Sequence, residues 1–189
     1  NVVPLGPGTY HVRLAVADGE MTLLGSAFDW LEVPDFNEKS LQLSSIFLAE
    51  AGADLSDLYN ALAATLQPAE AGNAKDKSAE PPPSPLQPTR RFKAGSSLDF
   101  LLFAYQVQAN AQGTGALSIQ ITLFSGGKKI YAAPPNEMPL SAEQAGQPVP
   151  CLARLPLATY APGEYELRIE VTDQIARRTR ARTIPFSIQ

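Results

Sequence analysis

Residues 162–173 read PGEYELRIEVTD and residues 7–18 read PGTYHVRLAVAD, so nearly the same phrase occurs twice at an offset of 155 residues. The offset runs without a gap to Val33 and Ile188, pairing Tyr10 with Tyr165, Arg13 with Arg168, Val16 with Val171 and Asp18 with Asp173. In the first copy Tyr10, Val12, Leu14 and Val16 alternate with His11, Arg13 and Ala15; in the second, Tyr165, Leu167, Ile169 and Val171 alternate with Glu166, Arg168 and Glu170. That is the two-residue period of a strand with one buried face. A turn follows each aspartate, then a second strand, GSAFDWLEV (25–33) or RARTIPFSI (180–188). The repeated unit is therefore a β-hairpin. Asp18 and Asp173 are expected to cap their turns through local backbone bonds, with calcium binding the lesser alternative.

The residues before each strand sharpen the reading. LGPGTY and YAPGEY both place an apolar residue five positions before the tyrosine, with Pro-Gly between. This resembles the tyrosine corner of immunoglobulin-like and fibronectin type III sandwiches, where a tyrosine near the start of a strand bonds back to upstream backbone. The plainer alternative is a Pro-Gly turn before a core tyrosine.

Composition supports an all-β class. Seventeen prolines and 13 glycines in 189 residues imply many turns, and the length suffices to bury a core without disulfide or metal support. A net charge of -4 argues against a dedicated nucleic-acid surface. The single cysteine, Cys151, cannot close an intrachain disulfide, and with one histidine there is no Cys/His zinc set. Alternation of Cys151, Ala153, Leu155 and Leu157 points the thiol inward as a small hydrophobe. No apolar run reaches the roughly 18 residues of a membrane helix, and no signal-peptide pattern opens the sequence.

Between the copies, SLQLSSIFLAE (40–50) reads as a strand, and DLSDLYNALAATL (54–66) as a short amphipathic helix with Leu55, Leu58, Tyr59, Leu62 and Leu66 on one face. Residues 67–88 lose apolar periodicity and form a flexible Pro/Ala-rich insertion, for which a proline-recognising partner is the lesser alternative. Strand signals resume with TRRFKAG, SSLDFLLFAYQVQA and GALSIQITLFSGGKKIYAA, the last turning at Gly126 and Gly127. With the Cys151 strand and the final hairpin, about seven strands lie beyond Ser40. The expected organisation is a closing hairpin of a preceding sandwich module at 1–34, a linker at 35–39 and a β-sandwich domain at 40–189. The first hairpin cannot stand alone, because an isolated hairpin is marginal in water.

If both copies share a register, Asp29, Leu31 and Val33 match inward Ile184, Phe186 and Ile188, and Phe28 and Trp30 face the other way. These two aromatics are expected at a junction between the modules, since soluble monomers rarely expose large aromatic patches; a bulge that turns them inward is the alternative. The other candidate interaction residues are Arg177, Arg178, Arg180 and Arg182 in ARRTRAR, either a patch for an anion or acidic partner or a solvated hairpin. Pro185 marks an edge strand or bulge. His11 is expected on the solvated face, with no orienting carboxylate proposed for it. Asp35, Asn37 and Glu38 carry calcium-type oxygens but read first as a linker. No phosphate-loop, dinucleotide, HExxH or GxSxG motif occurs.

PGTYHVRLAVAD, GSAFDWLEVPDF, LQLSSIFLA, RRFKAGSSLDFLLFAYQ, ITLFSGGKKIY and YAPGEYELRIEVTD together resemble the C-terminal immunoglobulin/fibronectin III-like region of bacterial, Acidobacteria-type, von Willebrand factor A domain-related proteins. The resemblance covers most of the chain except 52–88. It implies a secreted, periplasmic or cell-envelope protein. The Asp-x-Ser-x-Ser metal motif of A domains is absent, so no metal chemistry is carried over.

The expectation is an all-β, immunoglobulin/fibronectin III-like β-sandwich that acts as a non-catalytic structural or protein-interaction module without a cofactor. Its partners would be another protein or neighbouring domains of the same polypeptide. A carbohydrate- or peptide-binding module, and a hydrolase with carboxylates gathered by the fold, are the alternatives.

Overall fold

The computed structural model describes residues 4–19, 23–33, 35, 37–50, 90–144 and 147–189. The helix expected over 54–66 and the insertion at 67–88 lie outside the described residues. Among the described residues the chain is all-β, with twelve strands in three sheets.

β1 (Gly8–Ala17) and β2 (Leu23–Val33) form a two-stranded antiparallel sheet of their own. The remaining strands build a sandwich. One layer is centred on β6 (Ser97–Tyr105), which pairs with β10 (Val149–Pro156) on one side and with β3 (Gln42–Leu43) and β4 (Phe47–Glu50) on the other. The facing layer runs β5 (Arg91–Phe92), β12 (Arg178–Ile188), β11 (Gly163–Asp173), β7 (Gly115–Ser125) and β8 (Lys128–Ala132), with β9 (Asn136–Leu140) also paired to β7. All pairings are antiparallel except β5 with β12, which is parallel. Ten strands thus lie beyond Ser40 among the described residues, against about seven expected from sequence. β3 and β5, at two residues each, are too short to leave a periodic signal.

Local chemistry explains the elements. SLDFLLFAY in β6 is apolar at almost every position, as a strand covered on both faces requires. Its even-numbered residues enter the main core, while Leu101 and Phe103 join Ala49 in a second small cluster. Between the layers, Leu98, Phe100 and Leu102 of β6 and Cys151 and Leu155 of β10 meet Leu167, Ile169 and Val171 of β11 and Ile184, Phe186 and Ile188 of β12. At this density, truncating Phe100 to alanine costs about 3–5 kcal/mol. The β7–β8 connection turns on Gly126 and Gly127 at φ +54° and +73°, the left-handed pair of a two-residue hairpin loop.

The two copies of the repeated phrase fold alike. Gly8↔Val33 through Val16↔Gly25 in β1–β2 correspond, pair for pair at the 155-residue offset, to Gly163↔Ile188 through Val171↔Arg180 in β11–β12. Gly8 and Gly163 have φ +150° and +157°, backbone that side-chain-bearing residues rarely adopt. Two residues on, the tyrosine folds back. Tyr10 donates its hydroxyl to the Gly6 carbonyl at 2.8 Å, and Tyr165 donates to the Ala161 carbonyl at 2.6 Å. Pro-Gly-x-Tyr thus encodes a corner in both places. The surroundings differ: Tyr165 is buried, stacked on Phe186 at 5.6 Å and edge-on to Tyr160 at 6.0 Å, whereas Tyr10 is half-buried.

Candidate functional site

Strand β12 carries the arginines. Its inward positions begin with Ile188, Phe186 and Ile184 and continue, past the edge of the core, with Arg182, Arg180 and Arg178. Arg182 reaches across the mouth of the sandwich and donates to the Leu43 carbonyl of β3 at 3.2 Å, tying the two layers together. Arg178 and Arg180 are exposed on the same face. Arg177 sits in the turn at φ +53° and does not share that face. The turn is set by Asp173, whose Oδ1 accepts the backbone N–H groups of Ile175 and Ala176, each at 2.9 Å. Its Oδ2 accepts the N–H of Gln108 at 2.7 Å. The local cap expected at Asp173 is present, and it also anchors the chain leaving β6, a contact 65 residues away in sequence.

Arg180 and Arg182 form one wall of a cleft of about 630 Å³ between the sandwich and the foot of the first hairpin. Gly8, Thr9 and Val33 of the hairpin line it, with Asp35 and Glu38 of the connector and Gln42 and Leu43 of β3. The lining carries both cations, Arg180 and Arg182, and carboxylates, Asp35 and Glu38. Asp35 Oδ1 accepts the Asn37 N–H at 2.9 Å in an Asx turn, and Glu38 Oε2 accepts the Ser40 hydroxyl at 3.4 Å. Both bonds are local to the connector, and no group of three or more Asp, Glu, His or Cys side chains suited to a metal ion occurs among the described residues.

The first hairpin presents a different surface. Val12, Leu14, Val16 and Leu31 are 38%, 67%, 62% and 38% exposed, while their counterparts Leu167, Ile169, Val171 and Phe186 are 0%, 0%, 0% and 2% exposed. On the opposite face Phe28 is 72% exposed and meets the His11 ring edge-on at 5.5 Å. Among the described residues Phe28 therefore stays mostly exposed. The register runs unbroken past Phe28 and shifts only between Val16 and Ala17, so no bulge turns it inward. The side chain of Trp30 lies outside the described residues.

Other buried groups serve the scaffold. Asp99, 1% exposed, receives a bidentate pair from Arg154 Nε and Nη2 at 2.7 and 2.8 Å across the β6–β10 ladder. An acid inside the apolar run of β6 signals a buried carboxylate; its partner, 55 residues away, is invisible in sequence. Cys151 is fully buried, and desolvation pushes its thiol up to about 12. It is an inward hydrophobe, as the alternation predicted.

No family model matches the chain, and no curated relative matches it. Among solved structures it is similar to a family 123 glycoside hydrolase from Clostridium perfringens, at 11% identity and a TM-score of 0.39, over 52% of this chain and 22% of that one. It is also similar to dimeric latent PorU from Porphyromonas gingivalis, at 12% identity and a TM-score of 0.37, over 97% of this chain and 12% of that one. The chain spans less than a quarter of either protein's length, and likenesses at this level carry no chemistry across.

Proposed function

We propose that the chain is a non-catalytic, immunoglobulin-like β-sandwich module that serves as a structural or protein-interaction element of a larger secreted or envelope protein. The strand layout supports the fold assignment: β3/β4–β6–β10 faces β5–β12–β11–β7–β8, with a tyrosine corner where the chain crosses between layers into β11. The observation that carries the functional reading is the use made of the two carboxylates buried among the described residues. Asp99 is matched by Arg154, and Asp173 by three backbone N–H groups. Both are acceptors in bonds that hold strands and turns together, and neither lines the cleft. The envelope location rests on the family resemblance.

A second reading, a carbohydrate- or peptide-binding module, is favoured by the cleft alone, whose lining includes Arg180, Arg182, Asp35 and Glu38. Glycan and peptide arrays followed by titration calorimetry separate the two. The structural reading predicts no saturable ligand; binding abolished by Arg180→Ala with Glu38→Ala, in protein of unchanged melting temperature, selects the binding module instead.

A further inference from the structure

We infer that the β1–β2 hairpin is the closing half-layer of a second β-sandwich, and that its exposed apolar face docks against strands of the polypeptide that leads into it. The inference builds on the interaction-module reading and names the partner. Tyr10, Val12, Leu14, Val16 and Leu31 stand in the same register as Tyr165, Leu167, Ile169, Val171 and Phe186. The second set shows what such a face is built to meet. It lies against β6 and β10, whose Leu98, Phe100, Leu102, Cys151 and Leu155 complete the core, and its β11 edge is paired along its length by β7. Among the described residues β1 pairs with β2 alone, with neither a counter-sheet nor a further neighbouring strand.

The corner identifies the occupant. In the second copy, the Ala161–Tyr165 bond fastens the loop by which the chain leaves β10, in the counter-sheet, and enters β11. The Gly6–Tyr10 bond is the same fastening. A chain held this way enters β1 from the opposite layer, so the partner strand is the one directly preceding the corner. The partner surface is a sheet with an apolar inward face like that of β6 and β10, with a β7-like strand at its edge, and it is not a peptide groove.

The test compares the 189-residue chain with the same chain extended upstream by roughly 100 encoded residues, one sandwich module's length. Amide hydrogen exchange at Val12, Leu14 and Val16 is expected to slow by at least roughly 100-fold in the extended protein, as open edges become a closed ladder. The dye 8-anilinonaphthalene-1-sulfonate, which reports exposed apolar surface, is expected to lose its emission. In the extended protein Leu14→Asp is expected to unfold the upstream module and leave β11–β12 protection unchanged, whereas Phe28→Ser, on the opposite face, leaves both intact. Unchanged exchange in β1 on extension overturns the inference. So does a reading frame without upstream strands, or a 189-residue chain that buries the face by self-association. Array ligands at the cleft would remove the non-binding reading without altering these exchange rates, so the two failures are distinguishable.

Discussion

Replacing Tyr165 with phenylalanine removes one oxygen and tests whether the corner holds the sandwich together. The hydroxyl donates to Ala161 at 2.6 Å, while the ring stacks on Phe186 and remains in place as phenylalanine. A hydrogen bond of this kind contributes about 0.5–1.5 kcal/mol net, and an acceptor left dry adds about 1–3. Ala161 is exposed, so water can reach its carbonyl and the added penalty is mostly avoided. The expected loss is about 1–1.5 kcal/mol, or about 3–5 °C in melting temperature for a domain of this size. Tyr10→Phe removes the equivalent bond to Gly6, but in a sheet outside the sandwich core. Its effect on the sandwich transition is expected to stay within about 0.5 kcal/mol, the range of surface substitutions. Calorimetry of both variants checks this. A harmless Tyr165→Phe, or a Tyr10→Phe that costs as much, refutes the assignment of the corner as a scaffold element.

Arg154→Met leaves Asp99 buried without its bidentate partner; because Arg154 is about half-exposed, the loss in urea unfolding is expected at about 2–4 kcal/mol, below the range for fully buried pairs. Arg182→Ala breaks the bond to Leu43 across the sandwich mouth and is expected to cost about 1 kcal/mol, while Arg178→Ala is neutral, both read by thermal melts. The Cys151 thiol, raised from an ordinary 9.0 to about 12, binds its proton in the fold after the unfolded chain has released it. That contribution is complete below pH 9 and is lost as pH rises toward 12, at up to about 1.4 kcal/mol per pH unit. Cys151→Val is expected to flatten stability between pH 9 and 11 relative to the parent; equal slopes contradict the assignment.

Much of this architecture is local and so legible in sequence. Alternation in PGEYELRIEVTD sets the inward face of β11, Pro-Gly fixes the corner, and Gly126-Gly127 fixes a two-residue turn. The matching offset predicted the shared register and therefore the outward Phe28. What sequence hides is the long-range pairing. Arg154 looks like a solvent-facing residue until β10 lies beside β6, and β5 has two ladder residues and no period to detect. Arg177 reads as part of the arginine row, yet its left-handed backbone in the turn removes it from that face. The cleft was equally hidden, because it forms only where the hairpin foot, the connector and β12 meet.

One hairpin is built twice, once inside a core and once with its face open. Urea unfolding of Ile169→Asp and Leu14→Asp in the 189-residue chain tests this most directly, since the two positions correspond at the offset and differ in exposure, 0% against 67%. Ile169→Asp is predicted to abolish cooperative folding or cost more than about 4 kcal/mol, and Leu14→Asp to change stability by less than about 0.5 kcal/mol. Equal losses at both positions, or none at Ile169, would contradict it.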